Sequence, residues 1–225
     1  LGSMTITATS VSFPAPAAVA KNQRFTTVLN GIQNPATPGS YTASVTTGNS
    51  SGGTNTGNSL FAYTIVAGTP VKLGFTVQPS NTASGASIFP AVQVAVQDSN
   101  GNTVPTATDS VTVAIGTNPG GGTLSGTTTV SAVNGIAVFN NLSIDLTGSG
   151  YTFTAAATGL AGAASNGFDI FASAANRLVF SVQPGDTTAG ASISPAVQVE
   201  IRDASGNLVT TATNSITVAL GNNPG

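Results

Sequence analysis

Oxygen-bearing side chains recur at alternate positions in one short run of the chain. Asp98, Asn100 and Asn102 lie in DSNGN, and Asp203, Ser205 and Asn207 repeat the spacing in DASGN. Alternating oxygens beside a glycine are how a calcium loop presents its ligands, but a full site takes about six to eight oxygens, usually with several carboxylates. Each run here offers one Asp among neutral groups. The same residues suit a tight turn in which the aspartate accepts hydrogen bonds from the backbone amides that follow it. Two readings follow for Asp98, Asn100, Asn102, Asp203 and Asn207. One is a calcium site and the other a turn, and the shortage of carboxylates favours the turn.

The remaining side chains limit chemistry further. There is no Cys and no His, which removes thiolate nucleophiles, disulfides, imidazole bases and the usual zinc or copper ligands. A glycosidase would need two carboxylates facing each other across a cleft, and the supply is Asp98, Asp109, Asp145, Asp169, Asp186, Glu200 and Asp203. The expectation is no enzyme, no catalytic residue and no cofactor apart from the calcium alternative. A Lys–Asn isopeptide crosslink is disfavoured, because Lys72 becomes Arg177 in the second copy described below and Lys21 lies in a segment with no acid before Asp98. Two neutral surfaces remain as binding candidates. Thr5, Thr7 and Thr9 in TITAT would form a threonine row on one strand face, suited to a polysaccharide or an ice surface, although Thr is also simply a good strand residue. Asn118 opens NPGGG, expected as a flexible loop at one pole of the fold, where loops often bind. The chain has no Trp to serve as a sugar-stacking platform.

Charge is scarce. Only 5% of residues are Asp, Glu, Lys or Arg, against roughly 25% in an average soluble domain. Five scattered basic residues make no stripe for phosphates or anionic lipid, so neither nucleic acid nor membrane insertion is expected. No apolar run approaches the roughly 20 residues that span a bilayer. The opening LGSM reads as a cloning scar over Leu1–Ser3. A hydroxyl- and amide-rich, cysteine-free composition suits an exported bacterial protein, located outside the cell or on its surface.

The elements that must position these residues recur at a fixed interval. LGFTVQPSNTASGASIFPAVQVAVQDSNGNTV at Leu73 returns 105 residues later as LVFSVQPGDTTAGASISPAVQVEIRDASGNLV, and 30 of 49 positions are identical between Lys72–Gly120 and Arg177–Gly225. Such a period marks a tandem array. Alternating Val, Ile, Thr and Phe segments predict an all-β chain with strands near 72–77, 91–97, 110–115, 127–133, 136–142, 151–157 and 166–171. Seven strands in about a hundred residues is the size of an immunoglobulin-like sandwich. Val92, Val94 and Val96 predict a buried row, with Gln93, Ala95 and Gln97 facing solvent. Pro79 and Pro184 cannot donate to a ladder, so the first strand should sit at an edge and break or switch sheets there. Asn134-Gly135 predicts a hairpin. Tyr151, and Tyr41 in the matching stretch LNGIQNPATPGSYT, predict tyrosine corners, with the ring in the core and the hydroxyl bonded to backbone upstream.

The pattern V-x-D-x-x-G-N-x-V, followed by PGGGTLSG, NG, NLSID and GYTFTAAATGL, resembles the bacterial Ig-like repeats of very large surface and secreted proteins, adhesin stalks among them. From Val71 onward the resemblance implies tandem immunoglobulin-like β-sandwiches acting as spacers or adhesive modules, with no catalytic residue. The expected domains are the latter part of one Ig-like domain over 4–67, a complete one over 68–172, and the front strands of a third over 173–225. Short linkers at Val66–Val71 and Ala172–Asn176 should limit bending. Expected partners are neighbouring repeats of the same protein, a second copy through strand complementation of the two partial domains, and a polysaccharide or other cell-surface ligand. The alternative function is a carbohydrate-binding module of a secreted protein.

Overall fold

The computed structural model describes residues 6–7, 10–11, 34–48 and 54–222. Every regular element among them is a β-strand. The chain divides into two compact units, Leu1–Thr69 with Asp98–Asn102, and Pro70–Gln97 with Thr103–Gly225.

Among the described residues of the first unit are two antiparallel strand pairs. Strand β1 (Ile6–Thr7) pairs with β2 (Ser10–Val11). Strand β3 (Gly39–Gly48) pairs antiparallel with β4 (Thr54–Ile65), placing Tyr41 opposite Tyr63.

In the second unit, β5 (Lys72–Val77), β6 (Thr82–Ala83), β7 (Val92–Gln97) and β8 (Ser110–Ile115) come first. They are followed by β9 (Leu124–Ser125), β10 (Thr129–Ser131), β11 (Ile136–Phe139) and β12 (Ser143–Ile144). Next come β13 (Gly148–Tyr151), β14 (Phe153–Ala156), β15 (Ala163–Ala164) and β16 (Phe168–Phe171), then β17 (Arg177–Val182) and β18 (Gln198–Arg202). One sheet has the order β10-β8-β14-β15. Facing elements form β11-β7-β5, β13-β16-β6 and β12-β9. Alternation decides what is buried: Val111 and Val113 on β8, and Phe153 and Ala155 on β14, turn inward while their neighbours are exposed. They meet Val92, Val94, Phe139, Phe168 and Ile170 in one core, and Phe153 and Phe168 approach to 5.0 Å between ring centroids. Two opposed layers of mainly antiparallel strands around a single apolar interior are a sandwich-like arrangement.

The punctuation residues shape this layout. Strand β5 is an edge of its sheet and ends before Gln78-Pro79; the chain then crosses to β6, which pairs in parallel with β16 in another sheet. Pro184 follows the end of β17. Asn134 and Gly135 both take positive φ, 51° and 76°, at the turn joining Val133 to Ile136; a Cβ at Gly135 would strike the Val104 carbonyl.

Two expectations need correction. Ala95 is fully buried rather than solvent-facing, because β7 is the central strand of its sheet and Ala95 sits between Gly74 and Ile136. The Gln97 side chain lies over Gly74 on the same face, so longer polar neighbours roof the small residues. The strand foreseen over 151–157 is two strands, since Gly150, at φ 83°, introduces an irregularity and Tyr151 and Phe153 pair with different partners.

The second copy is assembled only in part. Strands β17 and β18 pair with each other, but Ser215–Leu220, the counterpart of β8, forms no strand. In the first copy β8 is held on both sides, by β10 and β14; a strand sequence without ladder partners has nothing to fix it.

Candidate functional site

The DxxGN turns bring together more of the singled-out residues than any other feature. In each, the Asp amide donates to the Asn carbonyl four residues on (2.9 Å at Asp98, 3.0 Å at Asp203), and the Gly amide donates back to the Asp carbonyl at 3.1 Å. Closing so tight a loop requires a left-handed residue, and Gly101 and Gly206 supply it at φ 86° and 94°. The Asp side chain then caps the turn. Asp98 Oδ1 accepts the Asn100 and Asn102 amides, both at 2.9 Å, and Asp203 Oδ1 accepts the Asn207 amide at 2.8 Å.

The second carboxylate oxygen reaches outside the turn. Asp203 Oδ2 accepts Ser84 Oγ–H at 2.6 Å, the Ser173 amide at 3.1 Å and the Ser173 hydroxyl at 3.3 Å. Asp98 Oδ2 accepts the amide of Gly68, which stands 105 residues before Ser173, at 2.9 Å. The asparagine extends the same grip. Asn207 Oδ1 accepts the Thr147 amide at 3.0 Å while its Nδ2 donates to the Asp145 carbonyl at 2.9 Å and to Asp203 Oδ2 at 2.9 Å. The Thr147 amide can only donate, which fixes the orientation of the Asn207 amide. In the first unit, Asn102 Nδ2 donates to the Ala36 carbonyl at 2.7 Å.

The tyrosines hold the other side of the gripped segments. Tyr151 is fully buried and donates to the Leu146 carbonyl at 2.9 Å, between the two groups bound by Asn207. Tyr41 donates to the Thr37 carbonyl at 2.8 Å, one residue from Ala36. Asn118 belongs to the same pole. Its side-chain amide closes the NPGGG loop on itself, donating to the Gly122 carbonyl at 2.9 Å and accepting the Gly122 amide at 2.8 Å. Gly120 and Gly122 lie so close to Tyr151 Oη that neither position has room for a Cβ. Ser84 and Gly85 are themselves fixed, their amides donating to the Phe171 and Ile144 carbonyls at 2.8 Å.

Burial opposes ionisation of Asp203, but the donors from Ser84, Asn207 and Ser173 outweigh it and hold the carboxyl well below the ordinary carboxylate range. The Asn102 side chain and then the Gly68 amide do the same for Asp98, whose pKa is lowered to about 2. Both groups are carboxylates surrounded by N–H and O–H donors. A calcium ion placed here would have to displace those donors before it met an oxygen. Among the described residues, no group of three acidic, His or Cys side chains is placed to hold a metal.

The other candidates lie apart. Thr7 is in β1, opposite Ser10; Thr5 and Thr9 lie outside the described residues. Asp169 accepts Ser149 Oγ–H and the Gly150 amide, which lower its pKa. Asp145 accepts the Thr123 amide, and Glu200 pairs with Arg202. Sequence reasoning overlooked Ser84, Ser173 and Gly68. One signal was present: Asp, Gly and Asn persist between DSNGN and DASGN while Asn100 becomes Ser205, and Asn100 contributes its backbone amide to the turn.

No protein-family model matches the chain, and no curated protein matches it. Among solved structures it is similar to a β-glycosidase from Bacteroides vulgatus, with a TM-score of 0.38 and 18% identity over 57% of this chain. The match covers 17% of that protein, and a likeness of this size says nothing about activity.

Proposed function

We propose that this chain is a segment of a bacterial extracellular array of immunoglobulin-like β-sandwiches, with domains over 4–67, 68–172 and 173–225, and that its work is mechanical: a stalk or spacer without catalytic residues. One observation carries the reading. The turn that recurs with the repeat is spent on joining: Asp203 and Asn207 of one repeat hold the linker residue Ser173 and the Ser84, Asp145 and Thr147 groups of the repeat before it. A buried aspartate satisfied by several donors is expensive to expose, so the joint resists opening. A repeat whose recurring polar residues face its neighbour is built for a place in a row.

Pulsed dipolar spectroscopy tests this directly, because a cysteine-free chain accepts one label pair cleanly. Labels at Ala156→Cys and Ser181→Cys, exposed positions on β14 and β17, should give a narrow distance distribution that broadens several-fold when Asp203→Ala and Asn207→Ala are added. A distribution equally broad with and without the clasp would refute a stiff spacer. Saturable retention of the chain on polysaccharide resins would instead support a carbohydrate-binding module.

A further inference from the structure

Asparagine followed by glycine is a dipeptide at which a chain can modify itself. The backbone nitrogen of the glycine attacks the asparagine Cγ, and the missing Cβ leaves that approach open. Three such pairs lie among the described residues: Asn100-Gly101, Asn134-Gly135 and Asn166-Gly167. Asn30-Gly31 lies outside them. All three asparagines are exposed, so solvent access does not separate them. What separates them is whether the peptide plane between the two residues is free to turn, since the reacting atoms must come within about 3–3.5 Å.

At the first two pairs the fold needs the glycine and holds that plane. Gly101 takes φ 86°, and its amide donates to the Asp98 carbonyl at 3.1 Å while the Asn100 amide donates to Asp98 Oδ1 at 2.9 Å. Asn134 and Gly135 take φ 51° and 76° in a turn closed by the Val133 and Ile136 amides, each donating to the other's carbonyl, at 2.9 Å and 3.1 Å. Turning either plane opens the turn. At the third pair the fold makes neither demand. Gly167 lies outside the left-handed region, and a Cβ there would meet nothing nearer than Gly150 Cα at 3.9 Å and the Tyr151 carbonyl oxygen at 4.0 Å. Among the described residues, neither the Gly167 amide nor the Asn166 side chain makes a hydrogen bond. Turning the plane between them gives up one contact, the Ser165 hydroxyl donating to the Asn166 carbonyl at 2.8 Å. The bond from the Asn166 amide to Gln78 Oε1, at 2.9 Å, lies on the far side of Cα and is kept.

We propose that Asn166-Gly167 is a site of spontaneous deamidation and isomerisation, the one of the three that the folded chain leaves open. The Gly167 amide gives its proton to solvent hydroxide and its nitrogen bonds to Asn166 Cγ. The side-chain nitrogen leaves as ammonia, taking a proton from water, and a succinimide is closed. Water then cleaves one of the two ring C–N bonds that involve the Gly167 nitrogen. Cleavage at Cγ leaves aspartate; cleavage at the main-chain carbonyl leaves isoaspartate, with the chain running through the former side chain. In sum one water enters and one ammonia leaves. Either product adds a negative charge to a chain whose net charge is −2. Isoaspartate also lengthens the main chain directly before β16, whose Phe168 and Ile170 are core residues. This chemistry belongs to the loop and does not depend on the array proposed above.

The test is to age the full chain in mildly alkaline buffer, digest it, and read each peptide by mass spectrometry with fragmentation that distinguishes isoaspartate. The Asn166 peptide should convert several-fold faster than the Asn100 and Asn134 peptides, and in urea the three should convert at similar rates. Gly167→Ala should slow conversion at Asn166 several-fold and leave the melting temperature unchanged, because the added Cβ obstructs the attack and meets only ordinary contacts. Conversion at Asn100 or Asn134 as fast as at Asn166 in the folded chain would overturn the proposal. So would an Asn166 that stays intact in the folded chain yet converts in urea, which would mean that the loop holds its peptide plane as firmly as the turns hold theirs.

Discussion

Residues 72–120 and 177–225 share 30 of 49 positions, yet the chain folds them to different extents. In the first copy, Leu73, Val111 and Val113 are sealed in the core; in the second, Leu178, Ile216 and Val218 are exposed, and the counterpart of β8 is not a strand. The β5–β7 ladder, by contrast, survives as β17–β18 with the same register, Leu73 opposite Val96 becoming Leu178 opposite Ile201. The hairpin-like pair thus forms from its own sequence, whereas burial and the third strand depend on what packs across from them. Strand propensity is a statement about fit to a half-buried surface, and here one sequence is seen with that surface and without it.

Matched substitutions break the comparison most sharply. Leu73→Ala should cost about 3 kcal/mol in urea unfolding of the 72–171 repeat, and Leu178→Ala, the same change 105 residues on, less than about 0.5 kcal/mol. Equal costs would mean that the second copy is as well packed as the first. Asp203→Ala comes next: it strands the Ser84 hydroxyl and the Ser173 and Asn207 donors, and should destabilise by about 2 kcal/mol. Asp98→Ala should lower the melting temperature by less, because Gly68 offers its carboxylate an amide where Ser173 offers Asp203 an amide and a hydroxyl.

Acid sharpens the same contrast. Both aspartates are depressed, so unfolding favours proton uptake; their contribution is complete above the ordinary carboxylate range near about pH 4 and is lost as pH falls through the folded values. Melting temperature should stay flat from neutral pH down to that range. Below it, the Asp98 clasp should fail as pH approaches about 2, and the Asp203 clasp should outlast it, which hydrogen exchange at the Asn102 and Asn207 amides would resolve. The smallest effect is that of salt. The donors to both carboxylates are neutral amides and hydroxyls, so a several-fold rise in sodium chloride should leave the label-distance distribution unchanged. Marked broadening would point to ionic contacts across the joint.

The β character and the centres of the long strands were legible because period-2 alternation and turn dipeptides are local signals. The proposed edges at 72–77 and 110–115 coincide with β5 and β8. The two-residue strands β6, β9, β12 and β15 were not legible, since each is too short to carry an alternation of its own and is defined by its partner strand. Ala95 was misread for a related reason: the side of a central strand that is roofed by Gln97 looks, in sequence, like a polar face. Asp98 and Asp203 could be recognised as turn caps. Their outward bonds could not, because the Ser173 and Gly68 amides and the Asp145 carbonyl are backbone groups with no sequence signature, and the Ser84 hydroxyl stands 119 residues from Asp203.

Asn207 grips the Asp145 carbonyl and the Thr147 amide, while Asp203, to which it is itself bonded, takes the Ser173 amide of the linker. A strap fixed at one point can swing and spin; fixed at two, it keeps its roll angle. If the proposed array is built from repeats joined in this way, they would hold a constant rotational phase from one to the next, and a residue exposed on one repeat would reappear at a pitch set by hydrogen-bond geometry. Twisting force applied at one repeat would then be carried to its neighbour instead of being dissipated in the linker.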